Sequence, residues 1–362
     1  VAYDTKSVLT AYNSAENAAD VADLRLVLGY EEWNLYGVSY GTRLAQTIVR
    51  DHPEGIRSII LDSAYPLAAN IQLETAVNAD RAFALFFAGC AADPACAVAY
   101  PDLEQVFAEL VVQLNESPLV VQVYNLSDRQ FYDALINGDF LVDLLFQALY
   151  SVELTKIMPK LIYDLRDGRT NDLPPLLTLL LRQLDFVSVG MQISVQCNEE
   201  IAFSTPGESG QAPNYPYLND LVARSLLFGN LAFDTCELWQ AGQADPIENQ
   251  AVITDVPTLI LAGEYDPITP PAWGQAVAQG FSSSQFVEFP GIGHAVSVSG
   301  DCPLAITLAF VADPQAELDT TCLASLGGPA FVVPADGTAV AINLEPFTDP
   351  TIGISGLKPV GW

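Results

Sequence analysis

The sequence predicts an α/β fold, a mostly parallel sheet with helices on both faces, carrying a large helical cap inserted partway along the chain. Three observations carry this. The run Trp33 to Val38 reads as a buried strand and leads through Gly37-Val38-Ser39-Tyr40-Gly41 into a helix with Leu44 and Ile48 on one face. A second short strand follows at Ile56 to Leu61, its end apolar in the manner of a parallel sheet. Alternation of strand and helix then stops near residue 68 and resumes near residue 252, around a segment of helical period.

The elements follow in order. Asn13 with Glu16 has the spacing of a capping box, and Val21, Leu24 and Leu28 mark one face of a helix that stops at Gly29. The strand and helix around Ser39 come next, and Asp51-His52-Pro53-Glu54-Gly55 stops that helix. Between 68 and 251, Ala76 to Phe87, Asp102 to Leu114, Phe140 to Tyr150 and Leu154 to Leu165 show apolar residues three and four apart, with Pro159 expected to break or kink the last. Pro174-Pro175 opens another helix, Leu176 to Leu184. Strands are expected at Pro257 to Ala262 and Gln285 to Phe289, and helices at Pro271 to Gln279 and Asp301 to Val311. Residues 325–362 read as an irregular extension with one or two small strands, one apolar run being Phe331-Val332-Val333. The α/β core is thus split into a first segment over 1–67 and a second over 252–324, with the cap over 68–251 between them and the extension over 325–362.

Composition narrows the function classes. The 362 residues hold 44 acidic against 14 basic side chains, a net charge of −30 that repels nucleic-acid backbones and anionic lipid surfaces. No window of about 18 uncharged apolar residues is present to span a membrane. Six cysteines, Cys90, Cys96, Cys197, Cys236, Cys302 and Cys322, form no zinc-type cluster. Their even number in an acidic chain points to three disulfides, nearest-neighbour pairing being one of fifteen arrangements left open, and to an oxidising, extracellular or cell-envelope location, with the signal segment outside this chain. Neither a dinucleotide fingerprint nor a P-loop occurs, and no cofactor or metal is expected.

The chemistry concentrates at three strand ends. Ser39 sits at a strand-to-helix turn flanked by glycines two residues away on each side, the nucleophile elbow of an α/β-hydrolase. A serine hydroxyl needs a base to take its proton. The chain has two histidines. His52 lies at the far end of the elbow helix, ~18–20 Å from Ser39 at 1.5 Å per residue, which leaves His294 in the glycine-rich loop after a strand. Asp266, ending the preceding strand, completes the order Ser, Asp, His and would orient the imidazole, with Asp62 and Glu264 as rivals for that role. The backbone N–H of Tyr40 would form half of an oxyanion hole.

Asn13 to Tyr65, the segment Cys236-Glu-Leu-Trp239, and the stretches AGEYDPITPPAWG and GIGHAVSVSGDCP resemble the proline iminopeptidase and tripeptidyl aminopeptidase family of α/β-hydrolases. The resemblance implies a serine exopeptidase that releases short N-terminal units, with Ser39, Asp266 and His294 as its triad and lid carboxylates, at positions Glu199 and Glu200, binding the substrate amine. The family's His-Gly-Gly-Pro-Gly oxyanion loop and its early strands have no counterpart here. A missing N-terminal segment or a second chain would complete the sheet and supply the second N–H. A carboxylesterase acting on small esters is the nearest alternative, and a non-catalytic or partner-dependent fragment the third.

Overall fold

The computed structural model describes residues 8–184, 187–208, 210–225, 229–334, 344–349 and 354–359. Helix α1 (Ser14–Leu28) begins where the Asn13 side chain accepts the Glu16 N–H at 2.8 Å and ends at Gly29, whose φ of 75° is the left-handed cap a glycine favours. β1 (Trp33–Val38), α2 (Tyr40–Asp51) and β2 (Ile56–Asp62) follow as one strand–helix–strand unit with its two strands parallel. The same pattern returns after the insertion with β5 (Thr258–Gly263), α12 (Pro271–Ala278), β6 (Ser284–Phe289) and α13 (Asp301–Ala312). These four strands form one sheet in the order β1-β2-β5-β6, all parallel.

Strand alternation sorts the core into two layers. Ile59 and Leu61 pack with Ala45, Ile48 and Val49 of α2 and with Val277 of α12 on one face. Ile60, Leu259 and Leu261 pack with Ile306 and Phe310 of α13 on the other. Burying both faces explains why β5 reads as an unbroken apolar run. Parallel pairing also sets the catalytic edge: Val38 lies opposite Asp62, and Gly263 opposite Phe289, so the turns after all four strands open on one side.

The insertion between β2 and β5 contains α3 (Ile71–Ala92), α4 (Pro94–Ala99), α5 (Leu103–Glu116), a hairpin of β3 (Leu119–Asn125) and β4 (Gln130–Ile136), then α6 (Gly138–Ala148), α7 (Val152–Arg166), α8 (Leu173–Leu184), α9 (Val189–Glu199), α10 (Tyr217–Arg224) and α11 (Asn230–Trp239). Its apolar stripes make a core of their own, centred on Phe83, Phe86, Phe87, Phe107 and Tyr215. Disulfides join Cys90 to Cys96, Cys197 to Cys236 and Cys302 to Cys322; the second ties α9 to α11. Among the described residues no helix is long and apolar enough to cross a membrane.

Three expectations differ from the structure. Of the break or kink expected at Pro159, the break does not occur: α7 runs on through it, because Met158, Pro159, Leu161 and Ile162 are buried and their packing offsets the lost hydrogen bond. The largely helical insertion also holds the β3–β4 hairpin, which helical periodicity does not mark. Leu24 and Leu28 of α1 face solvent, while Ser14 and Ala18 are the buried positions. The apolar run Phe331-Val332-Val333 lies in irregular backbone: Phe331 packs on Phe86 and the Val332 N–H donates to the Lys156 carbonyl at 2.9 Å. The small strands expected in the extension are β7 (Leu344–Asp349) and β8 (Ile354–Pro359), an antiparallel pair; residues 335–343, 350–353 and 360–362 of that extension lie outside the described residues.

Candidate active site

Ser39 is held at φ 56° and ψ −123°, a left-handed conformation that costs a non-glycine residue about 1–3 kcal/mol. Its neighbours over-determine that strain. The Ser39 N–H donates to the Asp62 carbonyl at 3.0 Å, and the Ser39 carbonyl accepts from the Thr42 N–H at 2.9 Å and the Thr42 hydroxyl at 2.6 Å. Thr42 Oγ1 in turn accepts the Tyr65 N–H at 2.8 Å, binding the elbow to the turn after β2. A Cβ on Gly37 would overlap the Gly41 carbonyl, so strand and helix approach as closely as they do only because Gly37 has none. Tyr40, the first residue of α2, has its N–H unpaired within the helix, as every helix N-terminus does.

Asp266 is fully buried in the turn after β5. One carboxylate oxygen accepts the N–H groups of Ile268 (3.0 Å) and Thr269 (2.9 Å); the other accepts the Thr269 hydroxyl (2.7 Å) and lies 2.8 Å from His294 Nδ1. An ionised carboxylate only accepts, so this contact puts the proton on Nδ1 and leaves Nε2 as the free base. Burial alone would raise the Asp266 pKa, but the facing imidazole and these donors outweigh it and hold the group below the usual carboxylate range. For His294 burial works downward, and the charge and hydrogen bond of Asp266, with Asp62 behind, carry the pKa above the ordinary imidazole value. Ser39 Oγ makes no hydrogen bond to His294 among the described residues; such contacts commonly close only around substrate.

The two rival carboxylates have other partners. Asp62 accepts the N–H groups of Val296 (2.7 Å) and Ser297 (2.9 Å) and the Ser297 hydroxyl (2.5 Å), and Ser63 Oγ accepts the Ala295 N–H (3.0 Å). The end of β2 therefore grips the three residues that follow the histidine. Glu264 accepts the Gly291 N–H at 2.8 Å and steadies the same loop from its other end. On the lid side the His294 N–H donates to the Tyr150 carbonyl at 3.0 Å, and the two rings lie 4.8 Å apart. Arg81 of α3 donates to the carbonyls of Glu264 (2.7 Å) and Asp266 (2.6 Å). Tyr150 and Arg81 carry no sequence signal, since neither lies in a motif.

Glu199 and Glu200 end α9 and straddle Arg43, one turn along α2 from Ser39. Arg43 Nε lies 3.3 Å from Glu199 and Nη1 3.3 Å from Glu200, all three side chains being essentially without solvent contact. Glu199 also accepts the backbone N–H (2.6 Å) and hydroxyl (2.8 Å) of Ser14 at the start of α1, and it lies outside the cavity wall at Ser39. Glu200 belongs to that wall, and it accepts from the Tyr65 hydroxyl and from the Ile71 N–H at 3.2 Å. Burial raises the pKa of both carboxyls, against the lowering pull of Arg43. The cavity has a volume of about 590 Å³; Ser39, Tyr40, Phe146, Tyr150, Met191 and Ile268 share its wall with Glu200.

Comparison with known proteins adds two family-model matches. A model described as "alpha/beta hydrolase fold" covers residues 2–134, and one described as "TAP-like protein" covers residues 227–322. Among curated proteins, the serine protease Hip1 of Mycobacterium tuberculosis and that of Mycobacterium bovis are each 24% identical over 314 residues, 82% of this chain. The chain spans 58% of the length of these relatives. Solved structures with likeness include an esterase from Thermogutta terrifontis (18% identity, TM-score 0.31, 84% of this chain and 74% of that one) and an esterase from Exiguobacterium antarcticum (14%, 0.33, 86% and 78%).

Proposed function

From the premise that this chain is an α/β-hydrolase with a TAP-like C-terminal region, we propose that it is a serine peptidase of aminopeptidase type, acting on the free amino end of peptides. The observation that carries the reading is the Asp266–His294 contact of 2.8 Å on the same sheet edge as the strained Ser39, beside a cavity walled partly by Glu200. In this reading Ser39 Oγ attacks the scissile carbonyl and His294 Nε2 takes its proton and passes it to the leaving amine. Asp266 fixes the Nδ1–H tautomer and stabilises the imidazolium. The Tyr40 N–H faces the oxyanion, and water, activated by the same imidazole, releases the acyl unit. Glu200 anchors the substrate ammonium, while Glu199 supports it from behind Arg43.

In this reading the second oxyanion donor would come from a segment along the outer edge of β1, of this polypeptide or of a second chain. No described residue pairs with that edge. Three disulfides fit an exported protein at the cell surface or beyond.

Esterase activity on small substrates is the second reading. It is favoured by the fact that the Glu200 oxygens already hold Tyr65, Ile71 and Arg43, so an ammonium must compete for them. Fluorophosphonate labelling of the wild type, absent from Ser39→Ala, tests the nucleophile. Rates on a free-amine aminoacyl anilide, its N-blocked form and a nitrophenyl ester separate the two readings; preference for the blocked anilide or the ester refutes the aminopeptidase.

A further inference from the structure

A second cavity of about 550 Å³ lies against the other side of Tyr150. His294 contributes to its wall with Ser151, Lys156, Val298 and Ser299. Ser39 belongs to the first cavity and His294 to the second, and Tyr150 is the residue common to both walls. This division maps onto the two halves of an acyl transfer. The acyl group is attached to Ser39 and must lie in the first cavity. The departing amine receives its proton from Nε2, because Nδ1 is engaged by Asp266, and it must therefore pass His294, which belongs to the wall of the second cavity.

The two cavities also differ in chemistry. Phe146, Tyr150, Met191, Val195 and Ile268 give the first an apolar stretch of wall, with Arg43, Glu200, Gln147, Gln192 and Gln196 on the rest of it. The second, beside Val152, Ala295 and Val298, carries the hydroxyls of Ser151 and Ser299 and the ion pair of Lys156 with Glu153, 2.9 Å apart across one turn of α7. A desolvated leucine or phenylalanine gains contact area in the first and has to displace water from hydroxyls and charges in the second. Because Glu153 and Lys156 neutralise each other, neither sign of charge is singled out there.

We propose that the second cavity is the leaving-peptide subsite and that it takes an amine whose first residue is polar, while the first cavity takes an apolar residue on the acyl side. The inference rests on the peptidase reading above. The subsite works in both directions: an amine bound there attacks the carbonyl carbon of the acyl-Ser39 ester, the C–Oγ bond breaks, and the proton lost from nitrogen passes through Nε2 to Oγ.

Acyl-enzyme partitioning reads the subsite without depending on the acylation rate. With leucine methyl ester as acyl donor, serinamide and leucinamide at equal concentration compete with water for the acyl group, and the dipeptide amides formed are measured against free leucine. The expected result is at least fivefold more capture by serinamide than by leucinamide. Val298→Trp, a change at a side chain 76% exposed, should lower serinamide capture relative to water at least fivefold. Smaller differences in either comparison overturn the subsite. A wild type that leaves free-amine anilides and leucine methyl ester uncleaved refutes the peptidase reading, and the subsite falls with it. An active wild type whose partition ignores both acceptor and variant refutes the subsite alone.

Discussion

Replacing Arg43 with methionine tests how the elbow is joined to the cap. The guanidinium is almost wholly buried and serves five acceptors: Glu199 and Glu200 at 3.3 Å each, and the carbonyls of Pro66 (3.4 Å), Leu67 (3.2 Å) and Glu248 (3.0 Å). Methionine fills much of the volume and satisfies none of them. Two buried carboxylates would then face each other with no cation between, and breaking a buried pair in this way costs about 3–5 kcal/mol. The penalty depends on pH in a definite direction. Both carboxyls already titrate above their ordinary value because of burial, and loss of Arg43 raises them further. A carboxyl whose folded-state pKa exceeds its unfolded value of about 4.3 destabilises the fold increasingly as pH rises between the two, at about 1.4 kcal/mol per unit of separation. Urea unfolding of wild type and Arg43→Met at pH 5 and pH 7.5 should therefore show a larger stability gap at the higher pH. A gap below about 1 kcal/mol at pH 7.5, or one equal at the two values, would refute the claim that Arg43 compensates this pair.

Asp62→Asn keeps the shape of the side chain and removes the charge that faces His294 behind Asp266. The imidazole pKa should fall, moving the acid limb of kcat/KM to lower pH, with the rate reduced about 10- to 100-fold as the 295–297 segment loses its grip; an unmoved acid limb counts against an electrostatic role for Asp62. Gly37→Ala places a methyl group on the Gly41 carbonyl, a backbone overlap no rotamer relieves, and circular dichroism melting should report a loss of about 1–3 kcal/mol. An unchanged melting temperature would mean that strand and helix can separate at the elbow without cost.

The legibility of the molecule follows the range of its interactions. Ser39, Asp266 and His294 each sit where an apolar run meets a glycine- or proline-rich turn, and such strand ends are local features a single chain displays. The core strands are visible for the same reason. The buried face of α1 is not, because Leu24 and Leu28 follow helical spacing, while what docks the helix is Ser14, bonded to Glu199 across 185 residues. The β3–β4 hairpin is hidden because its outer face is solvent-exposed: Val120, Phe131 and Leu135 stand out in water, so apolar residues do not alternate cleanly with polar ones. Arg43 looks in sequence like an ordinary cation on a helix. Its burial is a property of three segments meeting, which no window on the sequence contains.

A Cβ on Gly263 would overlap the Gly293 carbonyl, and one on Gly293 would overlap the Leu149 carbonyl; three main chains are stacked here with no side chain between them. The spacing of Asp266 and His294 is thereby set by peptide groups, the component of a protein that mutation does not alter. Cap helices, cavity walls and surface charge can drift over evolutionary time while the pair keeps its separation, provided that these two glycines persist. Specificity in such a scaffold is cheap to change, and substitution at either glycine is the step from which the lineage would not recover.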